Sequence, residues 1–215
     1  MGQLSEPENF PPAPIEQALP WGPVVRGLRW GGGPHRLLLL HEPGADLDAW
    51  GSLPAHLASR LPLEVIAYDL PGHGLSDDPW EPERLPGVVR ALAHGEGNGR
   101  CLAIAAGSVA TVVLAMAGEL RLAGAILLSP PTPDSPTPRS PHLPKLIFAG
   151  SLAGADVQTA RRLATSSGGW AIVTSVPVAV SGAEMLDSEW SARIADQIGV
   201  FARDCLARAG KATGN

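Results

Sequence analysis

The segment Cys101–Thr111 most constrains what this chain can fold into. It begins with six apolar residues and continues, without a polar linker, into a stretch rich in alanine and valine. The pattern predicts a buried strand that turns sharply into a helix at Ser108. Such a turn admits only small side chains two residues before and after the serine, where Ala106 and Ala110 stand. A serine there would present its hydroxyl beside the free amides of a helix N-terminus, which is the geometry of a nucleophile.

Apolar strands and amphipathic helices alternate along the rest of the chain. Strands are predicted at 24–30, 36–41, 63–69, 101–106, 123–128, 145–149 and 176–180, and helices at 46–61, 83–94, 109–119, 157–164 and 188–207. The first two strands flank a run of three glycines and are expected to form a hairpin. Because parallel strands need crossover connections, the alternation predicts an α/β fold, a three-layer αβα sandwich around a mostly parallel sheet.

Composition sets the domain limits and excludes several classes of partner. Residues 1–23 are proline-rich and aperiodic and are predicted to form a surface arm, 24–208 a single domain, and 209–215 a flexible tail. The formal net charge of −5 and the lack of any Lys/Arg run argue against nucleic acid or a membrane as partner. No apolar run is long enough to span a bilayer, and the N-terminus lacks a signal-peptide pattern, so a cytoplasmic protein is expected.

Three motifs resemble those of the α/β-hydrolase superfamily in their order and intervals. They are Leu38–His41 followed by Gly44, the segment Asp69–Ser76, and the elbow at Ser108. The resemblance covers residues 24–208 and implies an α/β-hydrolase fold. The segment 129–144, where related proteins insert a lid, is proline-rich and cannot form a helical cap. A lidless fold with an open site is therefore expected, and an open site suits a bulky or protein-attached substrate, or a partner surface, better than a sequestered small molecule. The substrate classes considered are a small-molecule or a carrier-attached acyl compound.

The resemblance also implies a Ser-acid-His triad, and here the sequence departs from the pattern. The acid and then the histidine should follow the elbow, each on a loop after a later strand. The acid is expected at Ala153, and the first acidic residue beyond it is Asp156. The histidine is expected near 182–186, where Glu184 stands, and no histidine follows His142. The triad is therefore predicted to be incomplete.

The catalytic candidates are Ser108, Glu184 and His41. Ser108 is the predicted nucleophile. Of the six histidines, only His41 and His73 follow strands that bring them to the same edge of the sheet as the serine. His73 lies in a Pro- and Gly-rich turn and is interpreted as a turn residue before it is considered as a base.

The oxyanion and substrate-binding candidates are the amide of Val109, an amide from the loop Glu42–Gly44, and His73. Glu42 stands where a small residue is common in the superfamily. A carboxylate beside the oxyanion would oppose the developing charge, so its side chain is expected to turn outward to solvent.

Three functions follow from these residues. The first is ester or thioester hydrolysis through Ser108, with a base recruited from an unexpected position. The second is a lyase or isomerase that uses Glu184 and Ser108 without a covalent intermediate. The third is a non-catalytic binding or scaffold protein. No metal or other cofactor is predicted, because no ligand spacing is present and the glycine run does not open a helix. The oligomeric state is not predicted.

Overall fold

A computed structural model of the chain describes residues 11–77, 79–94, 100–133, 139–152 and 156–211, with side chains described as far as residue 208. The strands are β1 Ala13–Ala18, β2 Val24–Gly31, β3 His35–Leu40, β4 Leu63–Tyr68, β5 Cys101–Ala106, β6 Gly124–Leu128, β7 Lys145–Gly150 and β8 Ala171–Val176. The α-helices are α1 Leu53–Ala58, α2 Leu85–Ala93, α3 Gly107–Ala115, α4 Ala117–Leu120, α5 Asp156–Ser167 and α6 Ser191–Lys211. Three 3-10 turns span Leu47–Trp50, Pro82–Arg84 and Gly182–Asp187.

The eight strands form one sheet in the order β1-β2-β4-β3-β5-β6-β7-β8. The pairs β1/β2 and β2/β4 are antiparallel, and all the others are parallel. Apolar side chains are buried on both faces, one cluster containing α2, α3 and α5 and the other α1 and α6. The prediction of an α/β sandwich with a mostly parallel sheet is confirmed. Within the described residues, no helix has the length and apolar character to cross a bilayer.

The predicted hairpin of β2 and β3 is wrong, because β4 lies between these two strands. The glycine run instead carries the chain closely past the start of β4. A Cβ on Gly33, which has a φ of 145°, would lie 2.5 Å from the carbonyl oxygen of Pro62. β1 is a second correction, since Ala13–Ala18 forms an edge strand inside the predicted surface arm.

The end of the sheet also differs from the prediction. β8 occupies Ala171–Val176, five residues before the predicted strand at 176–180. Its side chains are mostly half-buried or exposed, so the apolar pattern that marks a central strand is absent. The predicted helix at 46–61 is broken at Gly51, whose φ is 48°. α6 reaches Lys211, into the predicted tail.

The described part of the proline-rich segment 129–144 contains no helix. Its last residues are held against the start of β7 by the fully buried side chain of Lys145. The Nζ of Lys145 donates hydrogen bonds to the carbonyl oxygens of Ser140 at 3.1 Å and Leu143 at 2.9 Å. Ser140 also donates its amide to Ser167 at the end of α5. The described residues of this segment therefore lead into β7 without forming a lid.

Candidate active site

The strand-to-helix turn predicted from Cys101–Thr111 is present, but its apex lies one residue earlier than predicted. β5 ends at Ala106 and α3 begins at Gly107, which has a φ of 54°. A side chain is strained in that conformation, and glycine is not. Ser108 follows in the first turn of α3 and is exposed.

The Glu42 side chain lies over this apex, at the carboxyl ends of the parallel strands. Its Oε1 accepts a hydrogen bond from the amide of Ala183 at 3.0 Å. A Cβ on Gly107 would lie 2.5 Å from Oε2, and a Cβ on Gly182 would overlap Oε1. Glu42 therefore fills the space that side chains at these two glycines would need. The expectation that Glu42 turns outward to solvent is wrong, because the carboxyl is half-buried between them.

The surroundings of Glu42 raise the pKa of its carboxyl. Partial burial raises the pKa of the carboxyl above its ordinary value of 4.5, the hydrogen bond from Ala183 opposes that rise, and the charge of Glu184 adds to it. No hydrogen bond to Oε2 is found within the described residues. One carboxyl oxygen is thus held in place, while the other faces the start of α3.

His41 is fully buried, and both of its ring nitrogens are engaged. Nε2 accepts a hydrogen bond from the amide of Leu70 at 2.9 Å. Nδ1 lies 2.9 Å from the carbonyl oxygen of Glu42 and so carries the proton. Burial lowers the pKa of this imidazole below 6.5. His41 joins the ends of β3 and β4 as a neutral ring, which leaves no nitrogen for Ser108.

His73 is engaged in the same way. Its Nε2 accepts from the amide of Gly44 at 3.0 Å, and its Nδ1 lies 3.0 Å from the carbonyl oxygen of Pro71. The ring packs edge-on against His41 and Trp80, with centroid distances of 5.2 and 5.1 Å. These contacts agree with the interpretation of His73 as a turn residue.

The loop Glu42–Gly44 has few free backbone amides that could bind an oxyanion. Pro43 has no amide hydrogen, and the Gly44 amide is taken by His73. The next amide, that of Ala45, donates to the carbonyl oxygen of Glu42. Val109 is fully buried, and its amide lies in the first turn of α3, where helix amides have no partner within the helix.

A family model described as the alpha/beta hydrolase family matches residues 37–211. This chain belongs to the α/β hydrolase family. A curated esterase of Mycobacterium tuberculosis, Rv0045c, is 35% identical over 80 residues, which is 34% of this chain and 26% of that protein. The chain thus spans about a quarter of the length of this curated relative.

Solved structures support the same fold. The Pyrococcus furiosus esterase Pf2001 superposes with a TM-score of 0.73 at 12% identity, covering 96% of each chain. The bottromycin epimerase BotH superposes with a TM-score of 0.67 at 15% identity, covering 86% of this chain and 98% of that one. At such low identity these likenesses show the fold alone. They include proteins named for hydrolysis and a protein named for epimerisation.

Two glycines with positive φ lie at or beside positions where the sequence led us to expect members of a triad. The family's nucleophile stands on the strained residue of the strand-to-helix turn, and in this chain that residue is Gly107. Gly182 opens the 182–186 segment where a histidine is expected, and its φ of 58° is also positive. The expected acid position, Ala153, lies outside the described residues.

The remaining candidates are dispersed. Glu184 is exposed on the 3-10 turn and makes no hydrogen bond within the described residues. Asp156 begins α5. No hydrogen bond reaches the Ser108 hydroxyl from the part of the chain that the structure describes. The structure brings together Glu42, Gly107 and Gly182, a grouping that the sequence analysis did not identify.

Proposed function

We propose that this hydrolase-family chain works by proton transfer through the Glu42 carboxyl, without a covalent intermediate on serine. The observation that carries the proposal is the position of Glu42, whose carboxyl lies over Gly107 and Gly182. A single acid occupies the space that side chains at Gly107 and Gly182 would fill.

Glu42 has the properties of a general acid or base. One oxygen is fixed by the Ala183 amide, which orients the carboxyl, and the other accepts no hydrogen bond within the described residues. Partial burial raises the pKa of this carboxyl above 4.5, which makes its carboxylate a stronger base than that of an exposed glutamate. The second function weighed from the sequence placed these properties on Glu184, but that carboxyl is exposed.

The reaction class that fits this arrangement is proton abstraction next to a carbonyl group. Glu42 Oε2 accepts the proton from carbon, and the electron pair moves onto the carbonyl oxygen as an enolate. The unpaired first-turn amides of α3 lie on the same side and stabilise that negative charge. Delivery of a proton to the opposite face of the same carbon completes an epimerisation, and delivery to a different carbon of the enolate completes an isomerisation.

Exchange of carbon-bound hydrogen in D2O tests this proposal. A panel of 2-oxo acids, amino-acid esters and short peptides is incubated with the protein, and loss of the α-proton signal is followed by NMR. We expect exchange that disappears in Glu42→Gln and persists in Glu184→Gln, the matched variant at an exposed carboxyl. Exchange that is equal in the wild type and in Glu42→Gln would contradict the proposal.

Ester or thioester hydrolysis through Ser108 is the second candidate. Two observations favour it: the exposed hydroxyl at the start of α3, and the esterases among the similar proteins. It requires a base that neither His41 nor His73 supplies, since both ring nitrogens of each are engaged. It is distinguished from the first candidate by covalent labelling of Ser108.

A further inference from the structure

β8 is an open edge of the sheet, and its sequence does nothing to protect it. In the described part of the chain, β8 pairs with β7 on one side and with no strand on the other. It contains neither proline nor a charged residue. The opposite edge strand, β1, contains Pro14 and Glu16, the residue types that block edge pairing.

A groove runs between β8 and α6 along this edge. It consists of a cavity of about 400 Å³ that includes Trp170, Ile172 and Phe201, and a neighbouring one of about 250 Å³ that includes Trp190. The two cavities share Thr174, Arg193 and Gln197 in their linings. The groove is therefore continuous along the strand.

Apolar side chains in this groove are exposed to an unusual degree. Ile172 is 39% exposed and Val200 57% exposed. Trp170 stacks on Phe201 with a centroid distance of 5.6 Å, and the Arg208 guanidinium lies 4.5 Å from the centroid of the Trp170 ring. Exposed apolar surface beside an unpaired strand edge is typical of a protein interface.

The charges along α6 indicate which partner this face accepts. Arg193, Gln197, Val200 and Asp204 follow one another at spacings of four, three and four, so they form one stripe of the helix facing the groove. Arg193 and Asp204 lie at the two ends of this stripe, about 16 Å apart along the helix axis. Neither has an ion-pair partner among the described residues.

A stripe with opposite charges at its two ends is complementary to itself after a two-fold rotation. The rotation brings the positive end of one copy toward the negative end of the other. It also brings the two β8 edges together in antiparallel orientation. An isologous dimer uses the same patch on both copies in this way.

We propose that β8 and the α6 stripe form a two-fold interface between two copies of this chain. β8 pairs antiparallel with β8 of the second copy, so that one sheet continues through both. Ile172, Val200 and Trp170 of both copies fill the groove. Arg193 of each copy faces the end of α6 that carries Asp204 in the other.

Sedimentation equilibrium from micromolar to millimolar concentration tests the interface. We expect a species of twice the 22.3 kDa chain mass. Ile172→Lys places a charge on the strand edge and should convert the dimer to a monomer with an unchanged circular dichroism spectrum. Leu75→Lys is the matched control, because Leu75 is 75% exposed on another surface, and it should remain dimeric.

Exchanging the charges at positions 193 and 204 distinguishes the proposed dimer from binding of another partner to this face. Arg193→Asp should weaken the dimer at least tenfold, and Arg193→Asp combined with Asp204→Arg should restore it. A wild type that is monomeric throughout, a dimer that survives Ile172→Lys, or a double variant as weak as Arg193→Asp would each overturn the proposal. The first of these results would leave the groove to a partner other than a second copy.

Discussion

Glu42 and Gly107 share one space: a Cβ on Gly107 would lie 2.5 Å from Glu42 Oε2. The two residues are far apart in sequence and meet because β3 and β5 are neighbours whose carboxyl ends reach the same edge. Gly182 meets the same carboxyl from the loop after β8. The glycines at 107 and 182 therefore leave the space that the Glu42 carboxyl fills, and the three residues form one structural arrangement.

The coupling between Glu42 and Gly107 can be measured as stability. Gly107→Ala should destabilise the fold by about 2–5 kcal/mol, since a positive φ and a collision with Glu42 act together. In a Glu42→Gly background the same change should be less destabilising by about 1–3 kcal/mol. Urea denaturation of the four proteins gives both values.

Gly51→Ala is the control for backbone strain in that experiment. Gly51 has a φ of 48° and nothing within 4 Å of a Cβ. Its substitution should lower stability by about 1–2 kcal/mol, irrespective of Glu42. If Gly107→Ala lowered the free energy of unfolding equally in the wild-type and Glu42→Gly backgrounds, the conclusion that Glu42 and Gly107 share one space would be contradicted.

The raised pKa of Glu42 has a direct consequence for stability. The folded state holds this proton more tightly than the unfolded state, so stability should fall as pH rises from 4.5 through the folded pKa. Glu42→Gln removes that fall, and its advantage over the wild type should grow across the same window and then level off. Denaturation midpoints at pH 4 to 8 measure the difference. An advantage independent of pH would contradict the burial of a titrating carboxyl.

His41 should give the opposite dependence. Burial lowers its pKa, so the folded state resists the proton that the unfolded state accepts near pH 6.5. Its contribution to stability is complete above pH 6.5 and is lost as pH falls toward the folded pKa. His41→Gln, compared with the wild type from pH 7.5 to 5, should lack this loss. NMR should find the proton on Nδ1, and a proton on Nε2 alone would contradict the hydrogen bond from Leu70.

Lys145 is expected to hold the proline-rich segment in place. Lys145→Met leaves the carbonyl oxygens of Ser140 and Leu143 without their shared donor and should destabilise the fold by about 1–3 kcal/mol. Hydrogen exchange should quicken at residues 139–143. Unchanged stability and exchange would show that the buried ammonium has no such role.

The sequence was sufficient to predict the layers of the fold, because seven apolar runs separated by amphipathic helices leave a parallel sheet as the natural solution. It was insufficient to predict the strand pairing and the strand bounds at the edges of the sheet. β2 reaches β4 instead of β3 through long-range antiparallel pairing, and β8 is too exposed to show a core pattern.

The site was harder to predict than the fold. The run of small residues before Ser108 does not reveal which of them forms the apex, and a shift of one residue moves the serine from the apex into the helix. The only available signal was Gly107 itself, since a positive φ favours glycine. The position of Glu42 over Gly107 and Gly182 depends on three distant segments and could not be seen in the sequence.

Treatment of the purified protein with a fluorophosphonate probe, followed by mass spectrometry and by assays with short-chain p-nitrophenyl esters, tests the central claim most directly. Ser108→Ala serves as the matched variant. We expect no adduct on Ser108 and the same negligible ester turnover in both proteins, because Gly107 occupies the apex and neither His41 nor His73 has a free nitrogen. A covalent adduct on Ser108, with ester hydrolysis that the Ser108→Ala variant loses, would contradict the account and restore the serine as nucleophile.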